Sequence, residues 1–309
     1  MRLTRREFLA LATASALSTC RASSHSESIR CHIWGEQGLR NGAFQRPRAI
    51  GVKGDDVYVI DTTGRVQVFD VDGVYRRGWS TPESENGTPT GVAFGIEDRV
   101  LIPDTHYSRI LEYTPDGRLL EQWGSYGTGE NEFIYPTDIV QAANGNYYIS
   151  EYGLDTDRVH AFDKDRRFLR QWGRQGEAEG EFSRLMAIGL DSQARLYVAD
   201  TANHRVQCFS QEGAFVQAIG GGGAEPGKLK FPYDLAMAPD DSILLSEYGN
   251  HRISRFTSDG AFVGCYGRPG RGPGEFNGPR GVAVSQNGLV FVADTDNHRV
   301  QRIPLEALC

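Results

Sequence analysis

The sequence predicts an all-β protein built from a repeated unit. Residues 198–207 (Val-Ala-Asp-Thr-Ala-Asn-His-Arg-Val-Gln) recur almost unchanged at residues 292–301, and a degenerate copy lies midway at residues 245–254. This spacing of 47 residues is typical of repeat architectures. The chain of 309 residues also has 37 glycines, 13 prolines and short alternating runs of Val, Ile, Tyr and Phe, which favour strands joined by tight turns.

Six units can be aligned from residue 47 onward, because each has an acidic residue at the end of its second predicted strand and an arginine shortly after it. The acidic residues are Asp61, Asp104, Glu151, Asp200, Glu247 and Asp294, and the arginines are Arg65, Arg109, Arg158, Arg205, Arg252 and Arg299. Each unit consists of four predicted short strands separated by tight turns. Six four-stranded antiparallel units around an axis form a six-bladed β-propeller.

The two ends of the chain predict how the ring closes. The sixth unit ends after its third strand, whereas residues 30–35 resemble the fourth strand of the other units. Trp34 precedes Pro47 by 13 residues, which is the spacing from Trp123 to Pro136. We therefore expect residues 30–309 to form the propeller, with the N-terminal strand completing the last blade and leaving no free edge. The link from residue 79 to residue 89 is shorter, so the rim between blades one and two should differ.

The first nineteen residues are predicted to be an export signal. Residues 4–9 (Thr-Arg-Arg-Glu-Phe-Leu) resemble the twin-arginine signal, and the apolar run 8–17 is too short to span a bilayer. Residues 17–20 resemble a lipobox ending at Cys20, and lipidation there and cleavage near residues 14–16 are the alternatives. Residues 20–29 are a Ser-rich linker. We expect an exported protein, periplasmic or lipid-anchored at the cell envelope, that contacts the membrane only through a lipid at Cys20.

The net charge and the cysteines indicate which classes of ligand and which cross-link to expect. The formal net charge is −7 at pH 7, and loss of residues 1–19 would remove three arginines and only one glutamate. Nucleic-acid binding is not expected, because it requires a basic surface. Cys31 and Cys309 lie near the two ends of the mature chain, and an exported compartment would permit a disulfide between them.

The repeated motif resembles a known family. The Asp-Thr-x-Asn-His-Arg-Val-Gln copies, together with Pro-x-Gly-Val-Ala at residues 279–283, resemble the NHL repeat. The resemblance covers residues 30–303; it is strongest in units four and six and weaker in units one and three. It implies a six-bladed propeller. It does not imply one activity, since similar propellers serve as protein-binding, RNA-binding and sensor modules and, in a minority, as lyases or hydrolases.

Two sets of repeated polar residues are interpreted as structural. His204, His251 and His298 suggest a zinc site like that of the amidating lyase with this type of propeller. Equivalent turns in adjacent blades should lie on the order of 15 Å apart, whereas a zinc–nitrogen bond is about 2.0 Å long. The second set should hold the turn between the second and third strands and fasten the blades together; it comprises Asp200, Asn203, Arg205, Asp294, Asn297 and Arg299.

Units three and five depart from the repeat and supply the candidate ligand site. Two residues after the strand-opening proline they carry Asp138 and Asp234, where the other units carry Ala or Gly. In these units alone the acidic end of the second strand is Glu followed by Tyr: Glu151-Tyr152 and Glu247-Tyr248.

A simple hairpin count places each aspartate opposite the glutamate of its own unit. Like charges that face each other on a sheet are destabilising, so a cation, a shared proton or an arginine such as Arg158 or Arg252 must compensate. We expect these pairs to form a cation-preferring site at the mouth of the central channel with Tyr152, Tyr233 and Tyr248. Arg48 and Arg280 could make the mouth bipolar.

The predicted function is an exported binding or scaffold module that recognises a protein or small-molecule ligand, of unknown identity, through the channel mouth. No cofactor is predicted. The alternative is a lyase or hydrolase that uses a divalent metal held near the axis by Asp138, Asp234 and their glutamate partners.

Overall fold

Six four-stranded antiparallel sheets surround a central channel in the computed structural model, which describes residues 31–153 and 155–309. The predicted all-β, six-bladed propeller is confirmed. The predicted export signal, Cys20 and the Ser-rich linker lie outside the described residues. Within the described part of the chain, no helix is long and apolar enough to cross a membrane.

The strands follow the order of the repeats. The first, β1, is His32–Trp34. Blade one contains β2 (Pro47–Lys53), β3 (Asp56–Asp61), β4 (Arg65–Phe69) and β5 (Tyr75–Ser80). Blade two contains β6 (Ala93–Phe94), β7 (Val100–Asp104), β8 (Arg109–Tyr113) and β9 (Leu119–Trp123). The short strands β10 (Ser125–Tyr126) and β11 (Glu132–Phe133) lie in the following crossover.

The remaining blades have the same arrangement. Blade three contains β12 (Tyr135–Gln141), β13 (Tyr147–Tyr152), β14 (Arg158–Phe162) and β15 (Phe168–Trp172). Blade four contains β16 (Leu185–Leu190), β17 (Leu196–Asp200), β18 (Arg205–Phe209) and β19 (Phe215–Gly220). Blade five contains β20 (Pro232–Met237), β21 (Ile243–Glu247), β22 (Arg252–Phe256) and β23 (Phe262–Tyr266).

Blade six is assembled from both ends of the chain. After the short crossover strands β24 (Arg268–Pro269) and β25 (Glu275–Phe276) come β26 (Gly281–Val284), β27 (Leu289–Asp294) and β28 (Arg299–Pro304). Single 3-10 turns occur at Ile96–Asp98, Thr105–Tyr107, Thr295–Asn297 and Leu305–Leu308.

The N-terminal strand closes the ring, as predicted. β1 pairs antiparallel with β28, with Trp34 opposite Val300, so the order in blade six is β1-β28-β27-β26. The Trp34 ring contacts Phe291 of the same blade and Phe69 of blade one. It also covers Gly73, where a Cβ would lie 2.5 Å from the indole. Glycine is needed at residue 73 both for this approach and for its φ of 79°.

Apolar clusters between neighbouring blades form the core. Within the described residues each of six clusters joins two adjacent blades; one contains Tyr197 and Val206 of blade four with Leu245 and Phe256 of blade five. Because each blade is covered by its neighbours on both faces, the second strand of every blade is buried along almost its whole length. The stability of each blade therefore depends on closure of the ring.

The link between blades one and two is different, as its length predicted. The other crossovers return through a short parallel pairing, such as that of Ser125 with Glu132. Residues 80–92 have no such pairing in the described structure, and the inner strand β6 of blade two has only two residues.

The cysteines at the ends of the described chain do not form a disulfide. Cys31 and Cys309 are free thiols. The Cys31 thiol donates to Oε1 of Gln301 at 3.0 Å.

Candidate functional site

The repeated acidic residues lie in buried hydrogen-bond networks at the turns between the second and third strands. Asp200 is 0% exposed and accepts from Nε of Arg205 at 2.7 Å and from Nδ2 of Asn203 at 3.0 Å. The backbone N–H of Ser183, in the crossover that enters this blade, donates to it at 2.7 Å. Burial raises the pKa of Asp200, and these donors oppose that shift. Asp294 has equivalent contacts with Asn297, Arg299 and the N–H of Asn277.

The arginines of these networks extend to the crossovers. Nη2 of Arg205 donates to the carbonyl oxygens of Ala178 and Glu181, at 2.8 and 2.9 Å. All six blades contain the acid–arginine pair, with lengths from 2.5 to 2.8 Å. These networks connect each turn to the preceding crossover. Because the acid–arginine pair occurs in all six blades, it does not mark any one blade as a catalytic site.

The three equivalent histidines each connect neighbouring blades. Nδ1 of His204 accepts the backbone N–H of Phe231 at 3.0 Å. His251 and His298 accept the N–H groups of Gly278 and Arg46, at 2.9 and 3.1 Å. Each histidine has a φ near 55°, in the left-handed region. Among the described residues, no group of three or more His, Cys, Asp or Glu side chains is arranged to hold a metal ion.

The predicted opposition of aspartate and glutamate in blades three and five is wrong. The register pairs Pro136 with Glu151 and Asp138 with Ser150, because a bulge lies between residues 136 and 138. Pro232 is likewise opposite Glu247, with a bulge before Asp234. The extra residue shifts every later position of the inner strand by one. The hairpin count from the turn assumed a regular ladder and therefore missed it.

Glu151 and Glu247 consequently lie in the turn networks and not at the channel mouth. Both are 0% exposed. Nε of Arg158 donates to Glu151 at 2.5 Å, and Nε of Arg252 donates to Glu247 at 2.6 Å. The arginines thus compensate the glutamates, and among residues 31–153 and 155–309 neither Asp138 nor Asp234 forms an ion pair.

Asp138 and Asp234 connect the inner strands of neighbouring blades. Asp138 accepts the N–H of Ile139 at 2.9 Å and, across to blade four, that of Ile188 at 3.0 Å. Asp234 accepts the N–H of Leu235 at 2.8 Å and, in blade six, that of Val282 at 2.9 Å. Both carboxylates border a central cavity of about 400 Å³ lined mainly by apolar residues of the inner strands.

The two aspartates share one electrostatic environment. Burial raises the pKa of Asp138 to about 7, against the effect of its two N–H donors. Burial and then repulsion from Asp138 raise the pKa of Asp234 well above its usual value. Two buried carboxyls that repel each other cannot both ionise freely at neutral pH.

Arginines and tyrosines surround the end of the channel at which the inner strands begin. The Arg280 guanidinium lies over the rings of Tyr233 and Tyr248, 4.8 and 5.2 Å from their centroids. The Arg184 guanidinium lies 5.5 Å from the centroid of Tyr152. We define the channel mouth as these residues together with two that adjoin them: Arg48, Tyr135, Tyr152, Arg184, Tyr233, Tyr248 and Arg280.

The residues of the mouth influence one another across the channel. Burial raises the pKa of Tyr152, Arg184 and Arg48 lower it, and Tyr233 raises it. The Tyr135 and Tyr152 rings are 5.4 Å apart, and Tyr233 and Tyr248 are 6.3 Å apart. Residues from five of the blades therefore lie together at the mouth, among them Tyr152, Tyr233, Tyr248, Arg48 and Arg280, which the sequence analysis named.

Sequence reasoning missed Arg184, Tyr135 and the neighbouring His106. The His106 ring lies 5.7 Å from the Tyr135 ring, and its pKa is lowered by burial and by Arg48. Tyr135 and Arg184 occupy the position immediately before the residue that opens the inner strand. Aligning the repeats on that position would have identified both.

Comparison with known proteins supports the repeat assignment. The model of the NHL repeat matches residues 187–209 and 276–303. A comparison with curated proteins finds no match in sequence.

Solved structures show the same fold at low sequence identity. A streptogramin B lyase structure is 13% identical, covers 88% of this chain and 96% of its own, and has a TM-score of 0.62. A virginiamycin B lyase from Staphylococcus aureus is 11% identical, with 89% and 99% coverage and a TM-score of 0.59. A protein of unknown function from Bacteroides thetaiotaomicron is 12% identical, with 89% and 76% coverage and a TM-score of 0.64. The chain therefore contains NHL repeats arranged as a six-bladed β-propeller.

Proposed function

We propose that this propeller is a binding module that recognises its ligand through the channel mouth. The observation that carries the proposal is the convergence of residues that break the sixfold repeat. Tyr152 and Tyr248 replace the threonine that follows the acidic residue in the other four blades. Arg48 and Arg280 occupy one repeat position on the inner strands of blades one and six.

The chemistry of the replaced threonines supports this reading. In blades four and six the threonine hydroxyls donate to carbonyl oxygens of the next blade: Thr201 to Pro232 at 2.6 Å and Thr295 to Pro47 at 2.7 Å. Tyr152 and Tyr248 occupy the position of the threonines that make this bond, and both are partly exposed at the mouth. Ligand sites are lined mainly by apolar and aromatic side chains with a few polar groups, and these partly exposed tyrosines beside arginines have that composition.

A metal-dependent lyase or hydrolase is the alternative. Two of the similar folds described above are lyases, but identities of 11% and 13% carry the fold alone. Asp138 and Asp234, the metal ligands in this alternative, already accept two backbone N–H groups each. Glu151 and Glu247 are paired with arginine. The existing partners of these four carboxylates thus favour a structural role, in which they connect neighbouring strands and turns, over a metal site.

We also propose that the module acts outside the cytoplasm. The support is the twin-arginine-like segment at residues 4–9 and the apolar run after it. A lipid at Cys20 would hold the propeller at the envelope through the linker of residues 20–29.

Screening by ligand-observed NMR tests the binding function. The purified protein would be examined with small aromatic probes of three classes, anionic, neutral and cationic. At least one class should bind the parent protein, and Tyr152→Ala and Tyr248→Ala should abolish that signal. Arg174→Gln is the control, since Arg174 is an exposed arginine outside the mouth that pairs with Glu181. Binding that is unaffected by both tyrosine variants, or absent for all three classes, would contradict the proposal.

A metal assay separates the alternative. Stoichiometric tightly bound divalent metal in the exported protein, lost in Asp138→Ala, would support the lyase or hydrolase and count against a pure binding module.

A further inference from the structure

We propose that the ligand of the channel mouth is a small organic anion: a carboxylate, phosphate or sulfonate group attached to a flat apolar body. This inference rests on the binding function proposed above and specifies the chemistry of its ligand.

Arg48 and Arg280 lie side by side on neighbouring inner strands. Gly281, the residue after Arg280, packs so closely against blade one that a Cβ there would lie 3.1 Å from the carbonyl oxygen of Arg48. In the described structure, neither guanidinium is within 4.0 Å of a carboxylate, unlike Arg46, which pairs with Asp296 at 2.8 Å.

Both guanidinium groups retain unused donors. Nη1 of Arg48 donates to the Thr88 hydroxyl at 3.3 Å, and Nη1 of Arg280 donates to the Tyr233 hydroxyl at 3.2 Å. The Nε–H groups of Arg48 and Arg280 are buried and make no hydrogen bond within the described residues. A buried donor left without an acceptor is costly. An anion at the mouth would offset the charge of both partly exposed guanidiniums and accept from their Nη groups, because a guanidinium matches the oxygens of a carboxylate or phosphate.

The carboxyl groups of Asp138 and Asp234, below the mouth, do not serve as counter-ions of the arginines. The oxygens of Asp138 and Asp234 are directed to backbone N–H groups of four inner strand positions. Burial raises the pKa of both, so the pair carries less than two negative charges at neutral pH. The Arg184 guanidinium, which forms no ion pair among the described residues, adds a third positive charge beside Tyr152, while the backbone N–H of Arg184 donates to Asp157 at 2.6 Å. The mouth therefore carries three guanidinium groups although the whole chain is acidic.

The tyrosines indicate the shape of the part of the ligand that is attached to its anionic group. Two pairs of rings, in blades three and five, flank the arginines. Tyrosine faces pack well against flat apolar groups, and the Tyr233 hydroxyl, which accepts from Arg280, keeps its own proton for a polar substituent. An inorganic anion would use the arginines but gain nothing from these faces.

Isothermal titration calorimetry at low ionic strength tests the inference with probes of fixed charge. Benzenesulfonate is the anionic probe, phenyltrimethylammonium the cationic probe, benzyl alcohol the neutral probe, and sodium sulfate the inorganic one. We expect benzenesulfonate to bind most tightly. Arg280→Gln and Arg48→Gln should each weaken its binding by about tenfold or more, the usual effect of losing a charge-assisted hydrogen bond. Arg174→Gln should bind like the parent.

The outcomes distinguish this inference from the proposed function. If phenyltrimethylammonium or benzyl alcohol binds through Tyr152 and Tyr248 while benzenesulfonate does not, the mouth is a binding site but the anion inference is wrong. If sulfate binds as tightly as benzenesulfonate, the inference that the ligand has an apolar body is wrong. If benzenesulfonate binding is unchanged in both Arg48→Gln and Arg280→Gln, with both variants folded by circular dichroism, the arginines do not form the site. Dependence on neither the arginines nor the tyrosines overturns the inference and the proposed function together.

Discussion

Replacing Trp34 by alanine is the most direct test of how the ring is closed. Trp34 is 9% exposed and packs against Phe69, Phe291 and Gly73, so it joins the N-terminal strand to both blade six and blade one. A tryptophan side chain buries on the order of 200 Å², which at about 25 cal/mol per Å² corresponds to about 5 kcal/mol. Residual burial in the unfolded chain reduces this figure. We expect Trp34→Ala to lower the free energy of unfolding by about 4 kcal/mol.

Urea denaturation followed by tryptophan fluorescence would measure the loss, and a thermal melt should show a decrease on the order of 10 °C. Trp172→Ala is the matched control, because Trp172 has the same place at the end of a fourth strand and covers Gly213. Trp172 lies in a blade that is continuous in sequence, however, and its loss frees no chain end.

Hydrogen exchange distinguishes closure from simple packing. β1 covers β28 through the pairs His32–Arg302, Ile33–Gln301 and Trp34–Val300. In Trp34→Ala the amides of residues 299–304 that face β1 should exchange faster, whereas Trp172→Ala should leave them protected. Equal protection of these amides in the two variants, or an unchanged unfolding free energy in Trp34→Ala, would refute the reasoning that pairing of β1 with β28 stabilises the closed ring.

Three further predictions concern the turn networks, the channel and the export signal. Arg205→Gln should destabilise the propeller by about 3 kcal/mol in a urea titration, because it leaves Asp200 buried without its cation, whereas the exposed Arg174→Gln should change little; similar stabilities would contradict a fastening role. Burial raises the folded-state pKa of Asp138 to about 7, so the stability linked to its bound proton is complete below the unfolded pKa and is lost as pH rises through about 7. The melting temperature of the parent should therefore fall more between pH 6 and pH 8 than that of Asp138→Asn, and parallel curves would disprove this. Changing Arg5 and Arg6 together to lysine should retain the protein in the cytoplasmic fraction, and unchanged export would exclude a twin-arginine signal.

The positions of the blades could be read from the sequence because each blade repeats the same local chemistry. The acidic residue and the arginine recur at spacings of 43 to 49 residues, so their alignment defines the strands without any knowledge of contacts. The closing strand could be predicted as well, since one unit lacked a fourth strand and residues 30–35 matched it.

The partners of the aspartates could not be read in this way. The bulge before Asp138 and Asp234 leaves no mark in the spacing of the hairpin, yet it decides which residue each aspartate faces. A one-residue change in register moves a side chain to the other face of a sheet. The glutamates therefore proved to belong to the turns, and the aspartates to the inner strands of neighbouring blades.

The sequence alone determined the fold, the number of blades, the closure and the blades in which the repeat is broken, because these follow from local patterns and their spacing. Only the tertiary structure decided the character of the site. Arg184 and Tyr152, 32 residues apart in the chain, meet at the mouth because the ring places the end of the second strand of blade three beside the start of the inner strand of blade four. Burial in that channel, which no local pattern encodes, raises the pKa of the aspartates and leaves the arginines to set the charge of the mouth.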